Sequence, residues 1–109
     1  MAKKYDLLIQ GGLVVTGSGI RKADVGIEGE QIVSVESGLP PGEANQVIEA
    51  TGKYVMPGVI DVHVHPVYED DMKGLSLTAA YGGTTTLIHF AYAKPGMKLI
   101  DTIKQYQED

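Results

Sequence analysis

The chain has 109 residues, with 14 acidic and 9 basic side chains and a formal net charge of −5 at pH 7. This length suits one small globular domain or a part of a larger protein, whereas a complete (β/α)₈ barrel takes about 250 residues. The acidic balance, with no basic cluster longer than Lys3-Lys4, argues against nucleic acid or a membrane surface as a partner. The absence of cysteine excludes disulfides and thiol catalysis, so a bound metal would need His and carboxylate ligands.

The N-terminal sequence predicts no targeting or membrane-spanning segment. The apolar stretch Leu7-Leu8-Ile9 is interrupted at once by Gln10 and by the two glycines that follow it. It is too short for a signal-peptide core or a bilayer span. We therefore expect a cytoplasmic protein.

The first half of the chain is typical of a small antiparallel β-sheet. Short apolar or alternating segments are separated by glycines, and Gly29 between two acidic residues predicts a hairpin turn. Pro40 and Pro41 cannot donate ladder hydrogen bonds, so residues 37–44 are predicted to form a loop. The predicted strands are residues 7–9, 13–15, 24–28, 32–35, 46–50 and 54–56.

The second half follows a strand–helix–strand–helix order, which is typical of parallel β/α units. Asp71, with Asp70, is a candidate cap for the first helix, and Gly82-Gly83 is its stop signal. The predicted elements are a strand at 59–65, a helix after Asp71, a strand at 84–90, and a helix with Leu99, Ile100, Ile103 and Tyr106 on one face. The change of pattern predicts a boundary between residues 1–56 and 57–109.

One face of the predicted strand 59–65 carries candidate metal ligands. Side chains two residues apart in a strand share a face, so Asp61, His63 and His65 point the same way. Neutral imidazole is a common zinc ligand and also binds cobalt, nickel or iron. Active sites of parallel β/α assemblies lie at the carboxyl ends of the strands, where this His pair is predicted to lie. A bare His-x-His pattern also fits two histidines on an exposed edge.

The wider sequence around the pair is more specific. The segment 52–65, Gly-Lys-Tyr-Val-Met-Pro-Gly-Val-Ile-Asp-Val-His-Val-His, closely resembles the opening motif of the amidohydrolase superfamily. These metal-dependent hydrolases include dihydropyrimidinase, hydantoinase, dihydroorotase and allantoinase. Residues 5–16 look like the first strands of the family, 24–35 like its hairpin, and 80–86 like the end of its first barrel helix leading into strand two. The resemblance therefore covers the whole chain.

The resemblance implies a fold of mixed α and β structure. Residues 1–56 would form the N-terminal part of a small β-sandwich, which C-terminal strands complete in the family. Residues 57–109 would form the first two β/α units of a TIM-like (β/α)₈ barrel. Sandwich and barrel would both be incomplete in this chain, which would be an N-terminal fragment.

The resemblance also assigns roles at the strand. It implies that His63 and His65 are ligands of the more buried of one or two divalent metal ions, with zinc the first expectation. Asp61 would support the strand end or orient a His ligand rather than bind the metal itself. In the family the other ligands, often a carboxylated lysine, two histidines and an aspartate, come from later barrel strands, beyond Asp109.

Two further residues are candidates for lining the site. His89 stands where an Asp is common in dihydropyrimidinase and hydantoinase relatives, and we expect a hydrogen-bonded lining residue rather than a ligand. Tyr68 is a candidate for substrate contact, although its segment also fits a solvated loop that caps a helix. No arginine follows the His pair, unlike the arginine with which dihydroorotases hold a substrate carboxylate.

The implied activity is hydrolysis of a C–N bond in a small cyclic amide, such as a dihydropyrimidine or a hydantoin, by a protein that is a homo-oligomer when complete. Alternatives are another amidohydrolase activity (dihydroorotase, allantoinase, deaminase or N-acyl amino acid hydrolase), a non-catalytic dihydropyrimidinase-related assembly protein, or an independent small β module. The retained His63 and His65 argue against the assembly protein. Because the metal centre and its proton-shuttling carboxylate would be incomplete, we expect the isolated chain to be inactive.

Overall fold

The computed structural model describes residues 3–65 and 71–108, which divide into two compact units, one within residues 1–57 and the other within 58–109. The first unit contains β1 (Tyr5–Thr16), β2 (Gly19–Glu28), β3 (Gln31–Glu36), β4 (Ala44–Glu49) and β5 (Tyr54–Val55), with a short 3₁₀ turn at Pro41–Glu43. The second unit contains β6 (Val59–Val64), α1 (Met72–Tyr81), β7 (Thr84–His89) and α2 (Leu99–Glu108).

The first unit is a mixed sheet with the strand order β3-β2-β1-β4, and β5 also pairs with β1. The pairs β1–β2 and β2–β3 are antiparallel, and Gly29 forms the predicted hairpin turn with a φ of 58°. However, β4 and β5 run parallel to β1, so the prediction of a wholly antiparallel sheet is wrong for these two strands. The loop around Pro40 and Pro41 carries the chain from the β3 edge to the other side of β1, a crossover that parallel pairing requires.

The first strand is continuous, so the prediction of two separate strands at 7–9 and 13–15 is also wrong. The glycine pair forms a bulge instead of a turn, because the pairing register with β2 shifts between Ile9 and Gly12. Gly11 has a φ of 78°, a conformation that residues with a Cβ rarely adopt. G1-type bulges and several tight turns both place a glycine in this conformation, so the local sequence alone does not separate them.

A buried carboxylate holds this bulge in place. Asp24 of β2 is only 5% exposed, and its Oδ1 accepts a hydrogen bond from the Gly11 N–H at 2.7 Å. Its Oδ2 accepts bonds from the N–H groups of Gly38 at 2.8 Å and Leu39 at 2.9 Å. Charge-assisted hydrogen bonds of this kind compensate for burying a carboxylate. The loop after β3 is thereby fastened to the two central strands, and Leu39 is held in the core with Tyr5 and Leu8.

The second unit pairs β6 and β7 in parallel, with α1 packed against β7. The side chain of Asp71 accepts a hydrogen bond from the Gly74 N–H at 2.7 Å, which confirms the predicted helix cap, and α1 ends at the predicted glycines. Ile60 and Val62, on the face of β6 opposite Asp61 and His63, are 61% and 64% exposed, so helices of the described part do not cover these side chains. Neither helix in the described ranges combines the length and apolar character needed to cross a bilayer.

We predict that Asp24→Asn lowers the free energy of unfolding of the chain by about 2 kcal/mol, the scale of lost hydrogen bonds to a buried charged group. The amide that replaces one carboxylate oxygen is a donor and faces backbone N–H groups. Urea denaturation followed by circular dichroism measures the change. Glu30→Gln, the same chemical change at an exposed position in the β2–β3 turn, is the control. Equal stability of the two variants would contradict a structural role for Asp24.

Candidate functional site

The candidate site lies at the carboxyl end of β6, and the amino end of the same strand packs closely against β7. A Cβ atom on Gly58 would lie 2.1 Å from Thr85 Oγ1 and 2.7 Å from its Cβ, so only glycine allows this approach. The Val59 N–H donates to the Gly83 carbonyl at 2.9 Å, and the Phe90 N–H donates to the Val64 carbonyl at 3.4 Å. These bonds align the two strands at both ends. The close contact with Thr85 gives the glycine of the motif, Gly58, a physical reason.

The two histidines of the motif converge, as their spacing in the strand predicts. The Nε2 atoms of His63 and His65 are 2.8 Å apart, and their ring centroids are 4.8 Å apart. With both imidazoles neutral, only one proton fits between the two nitrogens, so one Nε2 donates and the other offers its lone pair. Two lone pairs aimed at one point are what a shared metal ion would need.

The spacing of these nitrogens can be tested against a metal ion. With Zn–N bonds of about 2.0–2.1 Å, two tetrahedral ligands have nitrogens roughly 3.4 Å apart. The two Nε2 atoms of His63 and His65 are 2.8 Å apart, so small rotations of the rings would reach that separation. The pair fits a divalent ion as two of its ligands.

Asp61 contacts the backbone of the site. Its Oδ1 accepts a hydrogen bond from the His63 N–H at 3.0 Å, while its side chain remains exposed. This contact fixes the local course of the strand next to the first histidine. It is compatible with the supporting role predicted for Asp61.

Two aromatic residues that the sequence analysis did not select complete the surroundings of the pair. The ring of Phe90 stacks on His65 with centroids 5.0 Å apart and an interplanar angle of 8°, and it lies 4.8 Å from the His63 ring. The hydroxyl of Tyr92 forms a hydrogen bond with His65 Nδ1. Phe90 directly follows β7 and Tyr92 lies two residues further along, and the parallel pairing of Val64 with His89 brings both beside His65. The predicted parallel strands at 59–65 and 84–90 were the signal in the sequence, because the carboxyl ends of neighbouring parallel strands lie side by side.

The structure places His89 among different partners. Its ring lies 5.2 Å from the ring of Tyr106 on α2, and its Nδ1 is 3.3 Å from the Phe90 carbonyl oxygen. The described contacts of His89 are therefore one with α2 and one with the backbone. Its predicted role as a lining residue remains a prediction.

The described residues supply only part of a metal site. Within 3–65 and 71–108, no group of three or more His, Asp or Glu side chains is arranged to hold an ion. Tyr68, the other candidate for the site lining, lies outside the described residues. The described part of the site thus consists of two converging imidazoles, a carboxylate on the neighbouring backbone and two aromatic rings beside His65.

Comparison with known proteins identifies similar chains. The chain is 35% identical over 108 residues to a D-hydantoinase of Ralstonia pickettii, a match that covers 93% of this chain and 23% of the relative. It is 38% identical over 106 residues to a dihydroorotase of Streptococcus thermophilus, covering 91% and 25% respectively. A solved structure of a D-hydantoinase superimposes with a TM-score of 0.85 at 34% identity, covering 94% of this chain and 24% of that one. No family model matches the chain.

The chain spans about a quarter of the length of the curated relatives it matches, 23% and 25% in the two cases above. The similarity covers both compact units, since the matches include more than nine-tenths of this chain. The segment that carries the His pair therefore lies within the matched region.

We predict that Gly58→Ala destabilises the chain by about 1–3 kcal/mol, the usual cost of overpacking, because the added methyl group overlaps the Thr85 side chain. Urea denaturation measures this loss. Thr85→Ala in the Gly58→Ala background removes the two nearest clashing atoms and should restore part of the stability. Gly42→Ala is the control, since nothing lies within 4 Å of the added Cβ there. If Gly58→Ala left the free energy of unfolding unchanged, the close contact between the two strands would not be required.

Proposed function

Because the chain belongs to the hydantoinase-like family of amidohydrolases, we propose that it supplies the N-terminal part of a metal-dependent hydrolase that opens small cyclic amides. The observation that carries this proposal is the convergence of the His63 and His65 Nε2 atoms to 2.8 Å at a strand end. The proposal includes the division into part of a β-sandwich at 1–56 and the first two β/α units of a (β/α)₈ barrel at 57–109. The mixed sheet and the parallel β6–β7 pair support this division.

The proposed cofactor is one or two divalent ions, with zinc the first candidate, and His63 and His65 would hold one of them. Such an ion supplies a Lewis acid that polarises the scissile carbonyl and activates water. The remaining ligands and the carboxylate that moves the proton would come from the part of the relatives' length that this chain does not span. Imidazole as the donor favours zinc, cobalt, nickel or iron over magnesium or calcium.

The chain's own residues prepare the site in three ways. His63 in β6 and His65 just after it present nitrogen donors at the strand end, and Asp61 accepts a hydrogen bond from the His63 N–H at 3.0 Å. Phe90 stacks on one face of the His65 ring and so holds its tilt.

The substrate class we propose is an uncharged cyclic amide such as a hydantoin or a dihydropyrimidine. The D-hydantoinase of Ralstonia pickettii and the superimposed D-hydantoinase structure support this choice through their names. Dihydroorotase or allantoinase activity is the alternative, favoured by the 38% identity to the streptococcal dihydroorotase. The absence of an arginine after the His pair favours the uncharged substrate over one that carries a carboxylate. We further propose a cytoplasmic homo-oligomer.

We predict that the chain binds zinc or cobalt weakly, with one ion held by the His pair, because it offers two of the four ligands that zinc prefers. Calorimetric titration and cobalt absorption spectra measure this binding. His63→Ala and His65→Ala should each weaken it at least tenfold, whereas His89→Ala, with its ring against Tyr106, should leave it within about twofold. Tight binding that survives loss of both His63 and His65, or an equal loss in His89→Ala, would contradict the assignment.

We predict that the whole protein, loaded with zinc, hydrolyses hydantoin and dihydrouracil, and that the isolated chain does not. The chain lacks a completed metal centre within its described residues, so transition-state stabilisation would be missing. Ring opening is followed by the loss of ultraviolet absorbance of the cyclic amide, with His63→Ala of the whole protein as the inactive control. Turnover of dihydroorotate or allantoin alone would support the alternative, and turnover by the isolated chain would contradict the division of the site.

A further inference from the structure

The hydroxyl of Tyr92 contacts the ring nitrogen of His65 that faces away from His63. We propose that Tyr92 is a positioning residue whose phenol oxygen accepts a hydrogen bond from His65 Nδ1–H, so that His65 Nε2 keeps its lone pair for a metal ion. This inference rests on the proposed function, because it assigns a role toward the metal that His63 and His65 would share.

The argument begins with the tautomers of a neutral imidazole. The ring carries one proton, and a nitrogen that binds a metal must be free of it, so coordination at Nε2 requires the proton on Nδ1. An acceptor next to Nδ1 stabilises that tautomer and fixes the orientation of the ring. Tyr92 Oη is placed at this nitrogen. A hydroxyl oxygen has lone pairs for this purpose even though it also carries a proton.

Exposure of Tyr92 explains how its own proton is accommodated. The residue is 38% exposed. In our proposal its O–H donates to solvent while its oxygen accepts from His65. The hydrogen bond between the two histidines then has one direction: the His63 Nε2–H donates to the His65 Nε2 lone pair across 2.8 Å. In this arrangement, the nitrogen that accepts from His63 is the nitrogen that an ion would bind.

The stacking of Phe90 adds the second constraint on the ring. Phe90 lies nearly parallel to His65, at 8° and 5.0 Å, and so restricts its tilt, while Tyr92 restrains the edge that carries Nδ1. A ring held on its face and at one edge loses less conformational freedom when an ion binds. His65 is thus oriented before binding by two residues from the segment that follows β7.

The direct test is the tautomer of His65, read from ring ¹⁵N chemical shifts of the ¹⁵N-labelled, metal-free chain. We expect a protonated Nδ1 in the wild type and a shift toward the Nε2–H form in Tyr92→Phe. Tyr81→Phe is the matched control, because it removes a hydroxyl from a ring that is 88% exposed. Zinc titration of the same three proteins should show affinity about tenfold weaker for Tyr92→Phe and unchanged for Tyr81→Phe.

Two results would overturn this inference alone: a proton on Nε2 in the wild type, or a tautomer and zinc affinity that Tyr92→Phe leaves unchanged while His63→Ala abolishes binding. Zinc affinity that His63→Ala and His65→Ala leave unchanged would overturn the proposed metal centre, and with it the role proposed for Tyr92. Circular dichroism and thermal unfolding of Tyr92→Phe identify a general loss of structure, which the tautomer readout separates from a local effect. A protonated Nδ1 that Tyr92→Phe alone disturbs supports the proposal.

Discussion

The parallel hydrogen-bonded pairing of β6 with β7 is the constraint on which the candidate site depends. It sets Val64 beside His89, so the residues that follow β7 come to lie next to His65. The pairing in turn requires a glycine at position 58, because Thr85 occupies the space of any larger side chain. The strand motif therefore has two physical parts: a glycine that permits close packing and a His pair that the packed strand presents at its carboxyl end.

In a site built in this way, some ligands come from one short segment and the others come from distant parts of the chain. Residues two apart on one strand can supply two converging imidazoles without help from the rest of the fold. A four-ligand ion needs donors from other elements, and the chain spans about a quarter of the relatives it matches, 23% for the Ralstonia hydantoinase. In our proposal the strand fixes where the ion is held, and the remainder of the protein completes its coordination and supplies the proton transfer.

The first unit depends on a single polar group, the carboxylate of Asp24. In the alternating pattern of its strand, Asp24 is simply one of the polar residues. In the structure, its carboxylate accepts hydrogen bonds from the N–H groups of Gly11, Gly38 and Leu39. Its partners are 13 to 15 residues away in sequence, so local periodicity carries no sign of them. A buried carboxylate with such partners is easily mistaken for a surface residue until the tertiary structure is known.

Local sequence patterns were enough to predict the order and type of nearly all elements, the Asp71 cap of α1, the hairpin at Gly29, and the shared face of His63 and His65. These features depend on residues within a few positions of each other, where propensity, capping and the strand repeat act directly. The tertiary structure decided that Gly11 forms a bulge, that β4 and β5 run parallel to β1, and that Phe90 and Tyr92 surround His65 while His89 contacts Tyr106. Each of these depends on which distant strands and helices become neighbours, and that choice is made by packing and hydrogen bonding between segments rather than by any local pattern.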